Sequence, residues 1–461
     1  MKEINKNELT NKEIRVIQYL GSKLKIVDNI SYEIKKIIDE GSVVCDLFSG
    51  SGVVSNKLAQ DFIVYANDIQ EYSKLITKVL LCVDKNKTNS ITYKDIIDSS
   101  YYRFNISKLS RIFEKPLKYE KDIFESKDYK KFAELNELGV FYDKSELDNK
   151  NKKIADEIFG ESLGIFNLNK IKEISTTKEY YALFSIYYSN GYFSLQQSIE
   201  IDSIRFALDK MLENKVVDQY TYELLLVCLL HSVSEIVSSV GKNFAQPIKV
   251  TDKNGKIKDF AVKRCMRDRG LKIEEYFQTM LTTLESLNVS SDNNKVFSED
   301  STKLLDLEEM KNVNLFYLDP PYTIDHYSRF YHVLETLVKY DYPCLEEKVF
   351  KGEKRIMNGR YRDDRFQSKY SIPSKGLAEF KELIEKIGKL DADIVLSYSD
   401  SDDNLDTRKR VVSKDELISI LKENYSFVEV KNLNHRYRKL SHKSSNRKEL
   451  NNSEMLIICK K

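Results

Sequence analysis

The sequence predicts an α/β protein: a mostly parallel sheet that ends in an antiparallel hairpin and is interrupted by a large, mainly helical insert. Three observations carry this expectation. Short apolar runs, Val43 to Leu47, Phe62 to Ala66 and Leu315 to Leu318, each stop at a turn with an acid close by, as buried parallel strands do. Between residues 86 and 294 the strand and helix alternation gives way to Lys-, Glu-, Tyr- and Asn-rich sequence with helical spacing, as in Ile199 to Leu212 and Tyr222 to Val237. Alternation resumes at Lys295-Val296-Phe297, and the last apolar runs, Phe427 to Val430 and Met455 to Cys459, suit a hairpin. The implied divisions are 1–85, 86–294 and 295–461.

Leu315 to Tyr322 reads LFYLDPPY, and the rest of the chain is arranged around it. The proline pair forbids further ladder bonding, so Asp319 falls at the carboxyl end of its strand, where open α/β sheets bind ligands. Such a tetrapeptide suits alkylation of an aromatic amine, a poor nucleophile because its lone pair is delocalised. Asp319 can accept one N–H of the amine and the Pro320 carbonyl the other, with no competing amide hydrogen on Pro321; the remaining orbital then points outward. Tyr322 supplies a stacking face for a purine, worth about 1–3 kcal/mol per base. A plain strand exit and turn is the competing reading.

Taken in order, Met1 to Gln18 read as a loose polar arm. Tyr19-Leu20-Gly21-Ser22-Lys23 is a turn before a helix marked by Ile26, Ile30, Ile34, Ile37 and Ile38. After the strand ending near Asp46 comes Phe48-Ser49-Gly50-Ser51-Gly52, a strand-to-helix turn whose glycines tolerate positive φ and let backbone approach a ligand. A second strand ends in Asn67-Asp68, and an acid at this spacing is the usual acceptor for ribose hydroxyls. Ser55 stands where a dinucleotide fingerprint has its third glycine, which favours a nucleoside ligand without pyrophosphate over NAD or FAD. Asp300 follows the strand at Val296, so Asp46, Asp68, Asp300 and Asp319 are expected on one rim of the sheet.

With 461 residues, the chain has room for two or three domains. Net charge is only +2, yet seven Lys or Arg residues and no acid lie between Lys431 and Lys448, and a second basic knot runs Lys263, Arg264, Arg267, Arg269. Such patches can neutralise phosphates; solvated loops are the bland alternative. The loop Gly241 to Val250, with Lys242, is the other polar-aromatic candidate for nucleic-acid contact. Six scattered cysteines without Cys-x-x-Cys spacing argue against zinc and disulfides, and the absence of a long apolar run or signal-like start makes the expected address cytoplasmic.

Tyr19 to Lys23, Phe48-x-Gly50-x-Gly52, Asp68, Asp300 and Asp319-Pro320-Pro321-Tyr322, in this order and with an insert before Asp300, resemble the Dam-type DNA adenine-N6 methyltransferases. The segments Tyr192 to Arg205 (YFSLQQSIEIDSIR) and His435 to Arg438 (HRYR) point further to the modification enzymes of FokI-like restriction systems. The resemblance implies a Rossmann-like methyltransferase sheet and S-adenosylmethionine as cofactor. The glycine turn with Phe48, Gly50 and Gly52, and Tyr19, Gly21, Ser22 and Lys23, would surround its methionine part. Asp68 would meet the ribose and Asp300 the adenine amino group, with Asp46 and Ile69 also among the cofactor-binding residues. Leu-Gly-Ser-Lys replaces the family's usual Trp-Ala-Gly-Gly-Lys, leaving open whether Ser22 or Lys23 makes the expected contact. The implied substrate is double-stranded DNA with a flipped adenine, no metal is needed, and Lys242, Arg264, Arg267, Arg436 and Arg438 are candidate DNA contacts with strong salt dependence. A separate chain would carry any cognate restriction endonuclease. Other readings are a non-catalytic nucleic-acid-binding protein retaining the fold, an RNA adenine methyltransferase and, from the glycine turn alone, an NAD-dependent oxidoreductase.

Overall fold

The computed structural model describes residues 14–82, 91–138, 153, 155–158, 168–287, 293–350, 352–399, 410–436 and 453–461. By internal contacts the chain divides into two compact units, one of Met1–Asp84, Leu284–Ser328 and Phe366–Lys461, the other of Lys85–Thr283 and Arg329–Arg365. Sequence pattern alone groups 329–365 with the C-terminal strands; by contact they fall in the unit of the helical insert.

The first unit is built on a seven-stranded sheet. Its strands are β1 (Val43–Asp46), β2 (Ile63–Asn67), β3 (Lys295–Phe297), β4 (Leu315–Leu318), β7 (Asp393–Ser399), β8 (Phe427–Arg436) and β9 (Ser453–Lys460), in the spatial order β3-β2-β1-β4-β7-β9-β8. Pairing is parallel from β3 to β7 and antiparallel for β9 with both of its neighbours. Alternation along each strand assigns side chains to two cores. Val44, Leu315, Tyr317, Val395, Leu456 and Ile458 pack on one face with the helices Val27–Ile34 and Val53–Leu58. On the other face Cys45, Phe316, Leu318, Ile394, Leu396 and Ile457 pack with Gly376–Lys389 and Lys414–Asn424. Burial on both faces explains why these strands read as unbroken apolar runs. The first helix is shorter than its isoleucine spacing predicts, because Ile37 and Ile38 fall in the following turn.

The strand order reverses between β1 and β4, which is where a crevice opens at the carboxyl ends of a doubly wound sheet. Asp46 and Asp319 end or follow those two strands, Asp68 follows β2, and Asp300 lies just beyond β3. The expected single rim of acids is therefore present. The loose-arm expectation needs correcting where the arm is described: Val16 and Ile17 are fully buried, their apolar side chains packing despite polar neighbours. Residues 1–13 lie outside the described residues.

The second unit is mainly helical, with one two-stranded hairpin of β5 (Glu347–Phe350) and β6 (Glu353–Ile356). Its longest helices, Leu195–Glu213 and Gln219–Ile236, are buried over most of their circumference rather than along one stripe, because they are central to the unit. The segment Tyr192 to Arg205 is a structural hub. Ser194 and Gln197 form a reciprocal capping box, and Gln197 also donates to the Asp268 and Leu271 carbonyls. Tyr192 donates to the carbonyls of Phe244 (2.6 Å) and Gly359 (3.0 Å). The fully buried Asp202 accepts from the Phe184 and Ser185 amides, both at 2.8 Å, from the Ser185 hydroxyl at 2.7 Å, and from Tyr340. Replacing Asp202 by alanine strands these donors in a dry core. The expected loss is about 3–5 kcal/mol of unfolding free energy, read as a lower urea midpoint of this unit.

Among the described residues, no helix is long and apolar enough to cross a membrane, and no group of three or more His, Cys, Asp or Glu is placed to hold a metal.

Candidate active site

The crevice at the strand-order reversal is a cavity with about 1010 Å³ of space, its open mouth included. Its wall contains Tyr19, Gly21, Lys23, Phe48, Asp68, Ile69, Asp300, Asp319, Pro320, Pro321 and Tyr322, so most of the sequence-predicted residues meet in one place. Ser22, Asp46, Gly50 and Gly52 are not on that wall.

Their roles are one layer back. Gly50 and Gly52 have φ of +52° and +74°. A Cβ on Gly50 would lie 2.9 Å from the Tyr19 ring, and one on Gly52 would lie 2.9 Å from Leu80 Cδ1, so both sites demand glycine. Asp46 is 1% exposed and accepts a 2.5 Å bond from the Ser55 hydroxyl. Burial pushes its carboxyl up to about 7, against that bond. Ser55, which replaces the third glycine of the dinucleotide pattern, thus serves this buried acid.

Asp68 braces the glycine turn. Its two oxygens accept the amides of Gly50 at 3.0 Å and Gln70 at 2.9 Å, and the carboxylate retains lone pairs for a ligand hydroxyl. The preceding Asn67 ties the turns after β1 and β3 together. It donates to the Leu47 and Glu299 carbonyls and accepts the Glu299 amide. Asp300 caps the short helix Ser301–Leu304. Burial tends to raise its carboxyl, but the Thr302 hydroxyl and amide bonds win and hold it below the usual range. Phe48 meets Tyr370 edge to face, with centroids 5.4 Å apart, and Tyr370 bonds Ser301 at 2.9 Å. Two aromatic rings and a carboxylate held below its usual range can stack on a planar heterocycle and accept from an exocyclic amine.

Across the crevice, Asp319 is paired with Lys23 at 2.9 Å. Burial pushes the Asp319 carboxyl up to about 6, with Lys23 pulling it down and the charge of Glu454 adding to the rise. Tyr322 is fixed by its surroundings. Its carbonyl accepts the Val411 amide at 3.0 Å, the Arg410 guanidinium stands 5.2 Å from its ring centroid, and Tyr398 packs at 5.3 Å. Arg410 is itself held by the Ser399 carbonyl at 2.7 Å.

The proposed nucleic-acid residues of the second unit have internal work. Lys242 donates to the Glu235 and Val237 carbonyls at the end of helix Gln219–Ile236, and Arg264 donates to the Ser239 carbonyl. Both, with Arg267, surround the buried Asp268, and of the three Arg267 has the most exposed side chain. Arg436 ends β8, its side chain outside the described set, and Arg438 lies outside the described residues, as does the basic segment from 437 to 448.

Sequence reasoning missed Tyr370, Asn67, Arg410 and Glu454. Tyr370 and Arg410 stand in irregular sequence, Asn67 was passed over for its neighbour Asp68, and Glu454 opens what read as a plain apolar strand.

A doubly wound sheet with a cavity at its strand-order reversal, a glycine turn braced by an acid, and Asp-Pro-Pro-Tyr at the facing strand end together define the class of fold and site. Residues 19–386 match the D12 class N6 adenine-specific DNA methyltransferases, and the chain belongs to that family. It is 24% identical over 405 residues to Modification methylase LlaI of Lactococcus lactis subsp. lactis, covering 88% of this chain and 48% of that protein. It is 23% identical over 338 residues to Type II methyltransferase M.FokI of Planomicrobium okeanokoites (72% and 38%), and 24% over 412 residues to Modification methylase StsI of Streptococcus sanguinis (88% and 46%). The chain spans less than half the length of each of these relatives. Family membership implies a methyl donor.

Proposed function

We propose that this chain methylates N6 of an adenine flipped out of duplex DNA, as the cytoplasmic modification enzyme of a restriction-modification system, with S-adenosylmethionine as donor. The single observation that carries the reading is the convergence of Asp319, Pro320 and Tyr322 with Phe48, Asp68 and Asp300 on one cavity. The residues present fit the donor. The glycine turn admits close backbone approach, Asp68 offers acceptors for a ribose, and Asp300 with Phe48 and Tyr370 offers a site for an adenine ring. When bound, S-adenosylmethionine supplies a methyl already activated by its sulfonium.

The protein's part is to hold the target amine. Asp319 accepts one N–H and the Pro320 carbonyl the other, so charge developing on nitrogen meets a carboxylate in a half-dry site. Tyr322 stacks on the extruded base, whose unstacking from the duplex costs a few kcal/mol. The second unit carries target recognition, with phosphate contacts from its exposed arginines, and any cognate endonuclease is a separate chain.

The test is incorporation of labelled methyl from S-adenosylmethionine into duplex DNA, with RNA and nuclease-treated controls. Label in N6-methyladenine of DNA is expected; binding without turnover would favour a non-catalytic nucleic-acid-binding role, and label in RNA alone would redirect the substrate. Asp319 is the stronger N–H acceptor, and opposes charge developing on nitrogen, when it is ionised, and its carboxyl lies at about 6. The rate is therefore expected to fall as pH drops through about 6, with protonation of Asp319 as the cause.

A further inference from the structure

Lys23 and Asp319 do not stand alone. Glu454, on β9, is 1% exposed, and its Oε1 lies 3.8 Å from the Lys23 ammonium and 3.4 Å from the Tyr322 hydroxyl, which donates to it. Its Oε2 has no hydrogen-bond partner among the described residues. One buried ammonium therefore sits between two carboxylates, in contact with the first and near the second. The lysine is 4% exposed, so water cannot take over its solvation if it is displaced.

The ammonium lies on Asp319 Oδ1, so an adenine amino group that takes that oxygen displaces it, and a buried charge that loses its partner is strongly destabilised. We propose that Glu454 is a positioning residue that takes Lys23 from Asp319 when the adenine amine arrives. A small swing of the flexible lysine stem completes the Lys23–Glu454 pair. The spare Glu454 oxygen and the Tyr322 hydroxyl bond then fix the carboxylate that receives it. In this arrangement Lys23 neutralises Asp319 in the waiting site and is kept charged and out of the way during transfer. The inference rests on the adenine-methylation reading.

Glu454→Gln keeps the shape and removes the charge. Methylation of duplex DNA by this variant is expected to show kcat lower by about 10- to 100-fold, as a misplaced reacting group does, while calorimetric affinity for S-adenosylmethionine stays within about twofold. The pH profile gives a readout that a merely structural residue would not move. Asp319 faces Lys23 before the first helix, Glu454 on β9, Asp46 at the end of β1, Tyr317 on β4 and Tyr322 on its own loop. Of these, Glu454 is an anion that raises the Asp319 carboxyl, so its removal moves the acid limb of kcat to lower pH. Glu454→Asp, which keeps the charge but withdraws it by one methylene, covers the case in which the amide variant does not fold. It is expected to lower kcat with the acid limb unmoved. Wild-type kcat in a folded variant, or an unmoved acid limb in Glu454→Gln, overturns the inference. Absence of methylation by the wild-type chain overturns the adenine-methylation reading instead.

Discussion

Replacing Asp319 by alanine is expected to abolish methyl transfer while leaving S-adenosylmethionine binding in place. In the proposed function, two consequences follow from removing this carboxylate. The adenine amine loses its charged acceptor, which is the group that stabilises positive charge developing on nitrogen. Lys23 loses its 2.9 Å partner and retains Glu454 at 3.8 Å, which leaves a cation where the amine should be positioned. The cofactor side, by contrast, keeps Asp68 on its two backbone amides and Asp300 on Thr302. Loss of one preorganised electrostatic contact in a water-poor site lowers rates by about 10²–10³-fold, and the misplaced lysine adds to it, so a fall of about 10³-fold or more is expected, roughly 4 kcal/mol. Labelled-methyl incorporation measures the rate, and calorimetry with S-adenosylmethionine measures binding. Activity within tenfold of wild type would mean that Asp319 does not hold the amine.

What the sequence revealed about this site follows a physical rule. Strands β1, β2 and β4 are legible because burial on both faces leaves mostly apolar residues, and each is punctuated by a turn at the crevice: Phe48 to Gly52, Asn67-Asp68, and Asp319 to Tyr322. A glycine forced to positive φ or a proline that ends a ladder leaves a local trace. The Lys23–Asp319 pair, the Glu454 carboxylate beneath them and the Tyr370 ring against Phe48 leave no such trace, because each is made only by packing distant segments. The internal bonds of the basic residues are hidden from sequence for the same reason. Lys242 and Arg264 look like solvent-facing cations in sequence, yet their donors are used by carbonyls at a helix end and in the following segment.

Asp68→Ala is expected to have the largest effect on the cofactor side. This carboxylate braces the turn that follows β1, and in the proposed function it is also a ligand acceptor. The Gly50 amide at 3.0 Å and the Gln70 amide at 2.9 Å both end on it, and Gly50 holds a φ of +52° with Tyr19 packed directly against it. Without the carboxylate, two backbone donors lose their acceptor at a cost of about 1–3 kcal/mol each where water cannot reach them. The turn then has no reason to keep the shape that lets a ligand approach. Removal of the ribose acceptor acts in the same direction. Affinity for S-adenosylmethionine is expected to fall by about 100-fold, near 2.8 kcal/mol, with the sheet intact because none of its core side chains changes. Asp68→Asn retains one oxygen acceptor and the shape, so about a tenfold loss is expected there. Calorimetric titration of both variants separates the two roles. Equal, large losses would assign the effect to charge on the ribose side, a graded series assigns it to the braced turn, and unchanged affinity in both would remove Asp68 from the cofactor site.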